Sequence, residues 1–186
     1  MSKTKFYFVR HGETDRNALG KLPGRTNDPL NDLGKAQAKE VADAIKEVIH
    51  VAISSPLLRA LETKEIICNK LSGEIISEDS DERISEVNFG ELKGKTWEDA
   101  PAYHGDEDIK EKYRLQEYDF TSHGGDSFEV VKERLYKFID DIKEKHSGKS
   151  ILVVTHAGVI RCLYKAEKEH AFDRAPGHGE VHIFEF

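Results

Sequence analysis

Short apolar runs bounded by turn residues alternate along this chain with longer stretches of helical period. That alternation predicts a mostly parallel sheet covered by helices on both faces. Phe6 to Val9 reads as the first strand. From Asn31 to Val48, the positions Leu33, Ala36, Ala38, Val41, Ala44, Ile45 and Val48 fall near helical spacing, with Asn31 or Asp32 as the cap. Val51 to Ser54 reads as a second strand, and Pro56 suits the first turn of the helix that carries Leu57, Leu58, Leu61, Ile66, Ile67 and Leu71. Ile75 to Ser77 makes a weaker strand. From Asp79 to Gly125 the period is lost among glycines, prolines and charges, and a structureless loop of that length is improbable inside a compact domain, so this stretch reads as a lid-like insertion with short helices. Asp126 to His146 returns to helix, Ile151 to Thr155 is a buried strand, Val159 to Lys168 a helix, and Val181 to Phe186 a final edge strand of alternating character.

Composition narrows the class. The 186 residues are 38% hydrophobic, and adding the 14 glycines brings the apolar share to about 45%, the level of ordinary globular domains. A single domain over 1–186, with the insertion at about 79–125, is the expectation at this length. The excess of 35 acidic over 28 basic residues gives a net charge of −7, which repels polyanions at long range and makes nucleic acid a poor partner. Cys68 and Cys162 are too few for a disulfide framework and sit in apolar helical segments, so both read as reduced core residues of a cytoplasmic protein. The apolar run near the start is four residues long, which fits neither a signal peptide nor a membrane span.

In an open α/β sheet, ligands bind beyond the carboxyl ends of the strands. Three segments here occupy such ends: Arg10-His11-Gly12-Glu13-Thr14, Ser54-Ser55-Pro56-Leu57-Leu58-Arg59, and Thr155-His156-Ala157-Gly158. Two histidines and two arginines are thereby placed on one rim. Arginine's planar fork matches phosphate oxygens, glycine lets backbone approach a ligand, and a helix N-terminus presents free N–H groups. The predicted site favours a compact dianion.

Phe8-Val9-Arg10-His11-Gly12-Glu13-Thr14 with Asn17, then Ser54-Ser55-Pro56-Leu57-Leu58-Arg59-Ala60, Glu86 within Arg83-Ile84-Ser85-Glu86-Val87-Asn88-Phe89-Gly90, and Thr155-His156-Ala157-Gly158 together resemble the histidine phosphatase superfamily, also called phosphoglycerate mutase-like. The match runs through nearly the whole chain in the family's order. The resemblance implies a three-layer α/β/α sandwich with a mostly parallel central sheet and an inserted lid segment. It implies His11 as nucleophile, Arg10, Arg59 and His156 around the phosphate with Asn17 beside them, and Glu86 as general acid, with neither metal nor cofactor. Glu82 and Glu91 are the rival carboxylates, and Glu13 reads as a hydrogen-bonding buttress.

Those residue types rebuild the chemistry of ester hydrolysis. Arg10, Arg59 and a cationic His156 neutralise the phosphoryl oxygens, while neutral His11, with one ring N–H held by a backbone carbonyl, attacks phosphorus. Glu86 protonates the departing alkoxide and then activates water, which requires a pKa raised toward neutrality. Mutases of the family hold a phosphoglycerate with a serine, a tyrosine, a lysine and tandem arginines. Counting from matched motifs puts Pro23, Phe89, the neighbourhood of Trp97 and at most Arg114 at those places. These departures, and Gly124-Gly125-Asp126-Ser127, which is similar to a Gly-Gly-Glu-Ser element of phosphatase branches, favour a small-molecule phosphomonoesterase over a cofactor-dependent mutase. Sugar phosphates, nucleotides, phosphoglycerates and a cobalamin-precursor riboside phosphate are the candidate substrates. A metal-dependent hydrolase built on His178, Glu180 and His182 with His104 and His123, and a non-catalytic phospho-ligand binder, are the alternatives from other classes. Trp97, Tyr103, Tyr113 and Tyr118 either contact the leaving group or pack against each other.

Overall fold

A computed structural model describes residues 3–77, 80–168 and 174–186. Five strands form one sheet: β1 (Lys5–Arg10), β2 (Val51–Ser54), β3 (Ile76–Ser77), β4 (Ser150–Thr155) and β5 (Val181–Glu185). Their order across the sheet is β3-β2-β4-β1-β5. The first four run parallel, and β5 takes the edge beside β1, the edge position its alternating sequence suggested, in antiparallel sense.

Side chains of a strand alternate between faces, and here each face has its own core. Phe6 and Phe8 of β1, Ile53 of β2, and Ile151 and Val153 of β4 join one buried cluster with Leu135, Phe138, Val159 and Leu163. The last four belong to α6 (Phe128–Lys145) and α7 (Ala157–Lys168). Tyr7, Val9, Ala52, Leu152 and Val154 face the other way and meet Val41, Ala42, Ala60 and Ile67. Those four come from α2 (Asp32–Ala44) and α3 (Leu58–Lys70), so the architecture is the three-layer sandwich expected from the sequence.

Boundaries differ where packing overrides period. Asn31 caps α2 through the Gly34 N–H, but the helix stops at Ala44 because Ile45 turns extended and, with Ile49, is drawn into the core. Val48, predicted helical, is exposed. Pro56 lies ahead of α3 rather than in its first turn: the Ser55 hydroxyl accepts from the Leu57 N–H, and Asn27 Oδ1 receives the Leu58 N–H at 2.8 Å. The first turn of α7 likewise begins at Ala157, two residues before the expected start.

Between β3 and α6 the chain forms short pieces: 3-10 turns at 82–84, 90–92 and 121–123, with α4 (Ala100–His104) and α5 (Ile109–Leu115). A four-residue helix, α1 (Asp15–Ala18), follows β1. The inserted segment is no loose appendage, since its Leu92, Ala100, Ile109, Tyr118 and Phe120 are fully buried in the same cluster as Phe6 and Phe8. Cys162 is buried, Cys68 half-buried, and both are free thiols. Among the described residues no helix is long and apolar enough to cross a membrane.

Candidate active site

The carboxyl ends of β1, β2 and β4 meet because the three strands are adjacent and parallel. His11 leaves β1 with its N–H on the Thr155 carbonyl (3.0 Å), and Ser55 leaves β2 with its N–H on the Val154 carbonyl (2.9 Å). The turn after β1 is held tightly. The Gly12 N–H reaches Thr63 Oγ1 of α3 (3.0 Å), and a Cβ on Gly12 would land on the Gly34 backbone of α2. Only glycine permits that approach. Glu13 Oε1 takes the Asn31 amide at 2.9 Å, so Glu13 ties this turn to the α2 cap, the buttress expected of it.

His11 is 1% exposed. Its Nδ1 lies 2.7 Å from the Gly12 carbonyl, which accepts only from a protonated nitrogen, so Nδ1 carries the hydrogen and Nε2 the lone pair. Arg59 Nε donates to that Nε2 at 3.0 Å. Arg59 itself is fully buried, with Nη1 on the Thr26 carbonyl (2.6 Å) and Nη2 on the Gly24 carbonyl (2.8 Å) and 3.2 Å from His156 Nδ1. A guanidinium only donates, so His156 Nδ1 accepts and its Nε2 donates to Ser55 Oγ at 2.8 Å. Both imidazoles are therefore neutral. Burial, and then the charge of Arg59, holds each far below the usual imidazole range. The cationic His156 expected from the sequence is corrected by this: a buried ring that must accept from a guanidinium cannot carry a second proton. Burial also draws Arg59 down to about 10, which leaves it charged at neutral pH.

Arg10 lines the same cavity as His11 and donates from Nη1 to the Pro176 carbonyl (2.7 Å), while its buried Nε has no partner among the described residues. Buried donors are rarely left unmade, and this one is available to an anion. Asn17 also lines the cavity, but its Oδ1 is committed to the Thr14 N–H (3.2 Å) in a capping box on α1. Glu86 is 4% exposed, with Oε1 accepting from the Val87 N–H (2.9 Å) and the Gly158 N–H (3.2 Å). Desolvation raises its pKa above the ordinary carboxylate value against the pull of those N–H groups and of Arg59. Glu82 and Glu91, the rival carboxylates, are exposed. The Glu86 carbonyl is clamped by Arg25 Nε (3.1 Å), and Arg25 pairs with Asp126 (2.9 Å), whose Oδ2 also takes the Asn88 N–H (3.0 Å). The Gly-Gly-Asp-Ser segment thus fastens the loop that carries the carboxylate.

These groups close one end of a cavity of about 620 Å³. Pro23, Phe89, Trp97 and Arg114, the four places counted from mutase motifs, all line it. Phe89, Trp97 and Tyr113 also pack on one another, with ring centroids 4.9–5.9 Å apart, so the aromatic wall is both packing and lining. Tyr118 is buried behind it, and Tyr103 is exposed, its ring under Lys95.

The sequence analysis gives two residues that line the cavity, His178 and Arg161, no part in the phosphate site. His178, grouped there with His182 in the metal alternative, lies before β5, with Nδ1 on the His11 carbonyl (2.8 Å) and its ring 5.5 Å from that of His11. Burial and the Arg10 charge lower it to about 4. His182 instead bonds Tyr164 at 3.0 Å, and His104 stacks on His123, so the five groups of the metal alternative are not gathered. Arg161 was never singled out. Its signal was available: four residues after Ala157, it shares a helix face with a residue that borders the site.

Residues 6–182 match the family model of the histidine phosphatase superfamily, branch 1. The chain belongs to that superfamily. It is 35% identical over 169 residues to phosphoglycerate mutase-like protein 4 of Arabidopsis thaliana, covering 88% of this chain and 70% of that one. It is 34% identical to the metal-independent phosphoserine phosphatase of the same plant, covering 87% and 67%. Phosphoserine phosphatase 1 of Hydrogenobacter thermophilus is 30% identical, covering 87% and 75%. Among solved structures, TTHB049 from Thermus thermophilus superposes with a TM-score of 0.75 at 30% identity, covering 96% of this chain and 92% of that one. The probable phosphoglycerate mutase GpmB of Escherichia coli is 31% identical, covering 84% and 71%, so the names of the relatives include both phosphatases and a mutase.

Proposed function

We propose that this protein is a metal-independent phosphomonoesterase that hydrolyses a small phosphate ester through a phosphohistidine on His11. The observation that carries the reading is the buried chain from the Gly12 carbonyl through His11 and Arg59 to His156. It aims two imidazole lone pairs, those of His11 Nε2 and His156 Nδ1, at one guanidinium that an incoming phosphate can claim, and His11 Nε2 is the one bonded to its Nε. As phosphate oxygens replace Nε2 as the acceptor of Arg59 Nε, that lone pair is released toward phosphorus. Nε2 forms the N–P bond while the P–O ester bond breaks, and its electron pair leaves on the alkoxide, which takes the proton of Glu86. Water then attacks phosphorus, Glu86 accepts its proton, and the N–P electrons return to Nε2. Arg59 and the unpartnered Arg10 Nε hold the phosphoryl oxygens throughout, and Asn17 stands beside them.

Phosphatase is favoured over mutase because Pro23 and Phe89 line the cavity and put no hydrogen-bond donors where a mutase serine and tyrosine would stand. O-phosphoserine is the first ester to assay, since two of the relatives bear the name phosphoserine phosphatase. A panel of phosphate esters, run with and without bisphosphoglycerate and with a chelator, tests the reading. The expected result is phosphate release that needs neither bisphosphoglycerate nor metal. His11→Ala is expected to abolish both turnover and the acid-labile label left by substrate phosphate; retention of that label overturns the proposal.

A further inference from the structure

His178 stands in the cavity wall beside the nucleophile, and the chemistry above gives it no part. It is half-buried in the loop that leads into β5, with its ring 5.5 Å from that of His11. Its Nδ1 lies 2.8 Å from the His11 carbonyl. A carbonyl accepts only from a protonated nitrogen, so the His178 Nδ1–H is the donor.

That bond falls on the peptide whose setting matters most to the nucleophile. The His11–Gly12 unit is held at both ends, its carbonyl by His178 and its N–H by Thr63 Oγ1 (3.0 Å). The next unit, Gly12–Glu13, has its N–H on Gln37 Oε1 (2.9 Å), and its carbonyl is the acceptor that keeps the hydrogen on His11 Nδ1 and the lone pair on Nε2. The two units join at Gly12, which places little restraint of its own on the torsions between them, so the side-chain partners must fix those torsions. If the His11 carbonyl turns, the Gly12 carbonyl leaves the His11 ring, and nothing then selects which ring nitrogen carries the hydrogen. Thr63 and Gln37 reach the turn from α3 and α2, whereas His178 comes from the far end of the chain. The same loop steadies the neighbouring arginine, whose Nη1 donates to the Pro176 carbonyl at 2.7 Å.

Resting on the phosphatase reading, we propose that His178 is a positioning residue for the nucleophile. By donating to the His11 carbonyl it keeps the turn in the arrangement that leaves the lone pair on His11 Nε2. It acts through the backbone, so it governs the rate of attack on phosphorus, while the hold on phosphate belongs to Arg10 and Arg59.

The test separates the donor from the bulk of the ring. Asparagine carries Nδ2 on Cγ, where histidine carries Nδ1, so His178→Asn keeps an N–H for the His11 carbonyl; His178→Leu has the same branching and offers none. Two quantities are read with p-nitrophenyl phosphate: the single-turnover rate of labelling of His11, and the competitive inhibition constant of inorganic phosphate. In His178→Leu the labelling rate is expected to fall about tenfold or more, the worth of one lost hydrogen bond, while the inhibition constant changes by less than about twofold. His178→Asn is expected to recover most of the rate. Nitrogen NMR of the His11 ring is expected to report hydrogen on Nδ1 in wild type and His178→Asn, and a mixture of tautomers in His178→Leu. If the leucine variant does not fold, His178→Ala supplies the comparison. A labelling rate untouched by loss of the donor, equal losses in the asparagine and leucine variants, or an inhibition constant that weakens in step with the rate overturns the assignment and leaves the phosphatase reading standing. Absence of both phosphate release and labelling in wild type brings down the phosphatase reading and this assignment with it.

Discussion

At the scale of the residue, the site works by denying charge to some groups and preserving it on others. Burial keeps His11 neutral and Glu86 protonated over a range where free imidazole and free carboxylate would begin to do the opposite. As general acid, Glu86 must hold its proton, so kcat/KM for esters of poor leaving groups is expected to fall as pH rises through its raised pKa. A pH profile of the wild type and Glu86→Gln checks this: the variant should lose the alkaline limb and about 10²–10⁴ of the rate. It should lose far less on p-nitrophenyl phosphate, whose leaving group needs no proton. Equal losses on both esters would show that Glu86 acts some other way. His11, Arg59, His156 and Glu86 could be named from motif positions alone. The neutrality of His156 could not, because it follows from which atom faces Arg59, a fact of three-dimensional placement. His178 was equally hidden, since its partner His11 stands 167 positions away in the chain.

At the scale of the element, the catalytic turn depends on backbone packed against backbone. Gly12 and Gly34 bring the loop after β1 onto the first turn of α2, and the added methyl of Gly12→Ala has no space there. That variant is expected to lose at least about 1–3 kcal/mol of stability, measured by urea unfolding, and activity through displacement of His11. Gly158→Ala poses a sharper question. Its Cβ would stand 2.5 Å from Glu86 Oε1 and from Val87 Cγ2, so kcat should fall with a smaller stability loss than that of Gly12→Ala. The inserted segment behaves as core. Phe120 is fully buried and packs on Phe89, Tyr113 and Tyr118, so Phe120→Ala should cost about 3–5 kcal/mol in the same unfolding experiment. If the segment melted separately from the sheet, two transitions would appear instead of one. Strands and long helices were legible because their periods are local. The insertion was legible as a segment of short helices, but not which of its side chains join the core, because these follow no single period and are selected by the surface they cover.

At the scale of the whole molecule, the site sets a pH limit on stability. His11, His156 and His178 all titrate in the folded chain below the 6.5 of a free imidazole, His178 at about 4. Below 6.5 the unfolded chain binds more protons than the folded one, so stability is complete above that pH and declines as pH falls toward the folded values. The urea midpoint should therefore drop between pH 6.5 and about 4, with His178→Asn flattening part of the slope; a midpoint constant over that window would contradict it. What the sequence by itself determined was the list of parts: alternating strands and helices, three chemistry-bearing strand ends, and a motif order that places the chain in its superfamily. Those are set by local period and by residue identity, which a linear text carries. Tertiary structure decided the charge state of His156, the arrival of His178 against His11, the burial of Arg161, and the burial of Glu86 where Glu82 and Glu91 stay exposed. Each of these depends on how much water a side chain keeps and which distant group replaces it, and the chain settles that only when it folds.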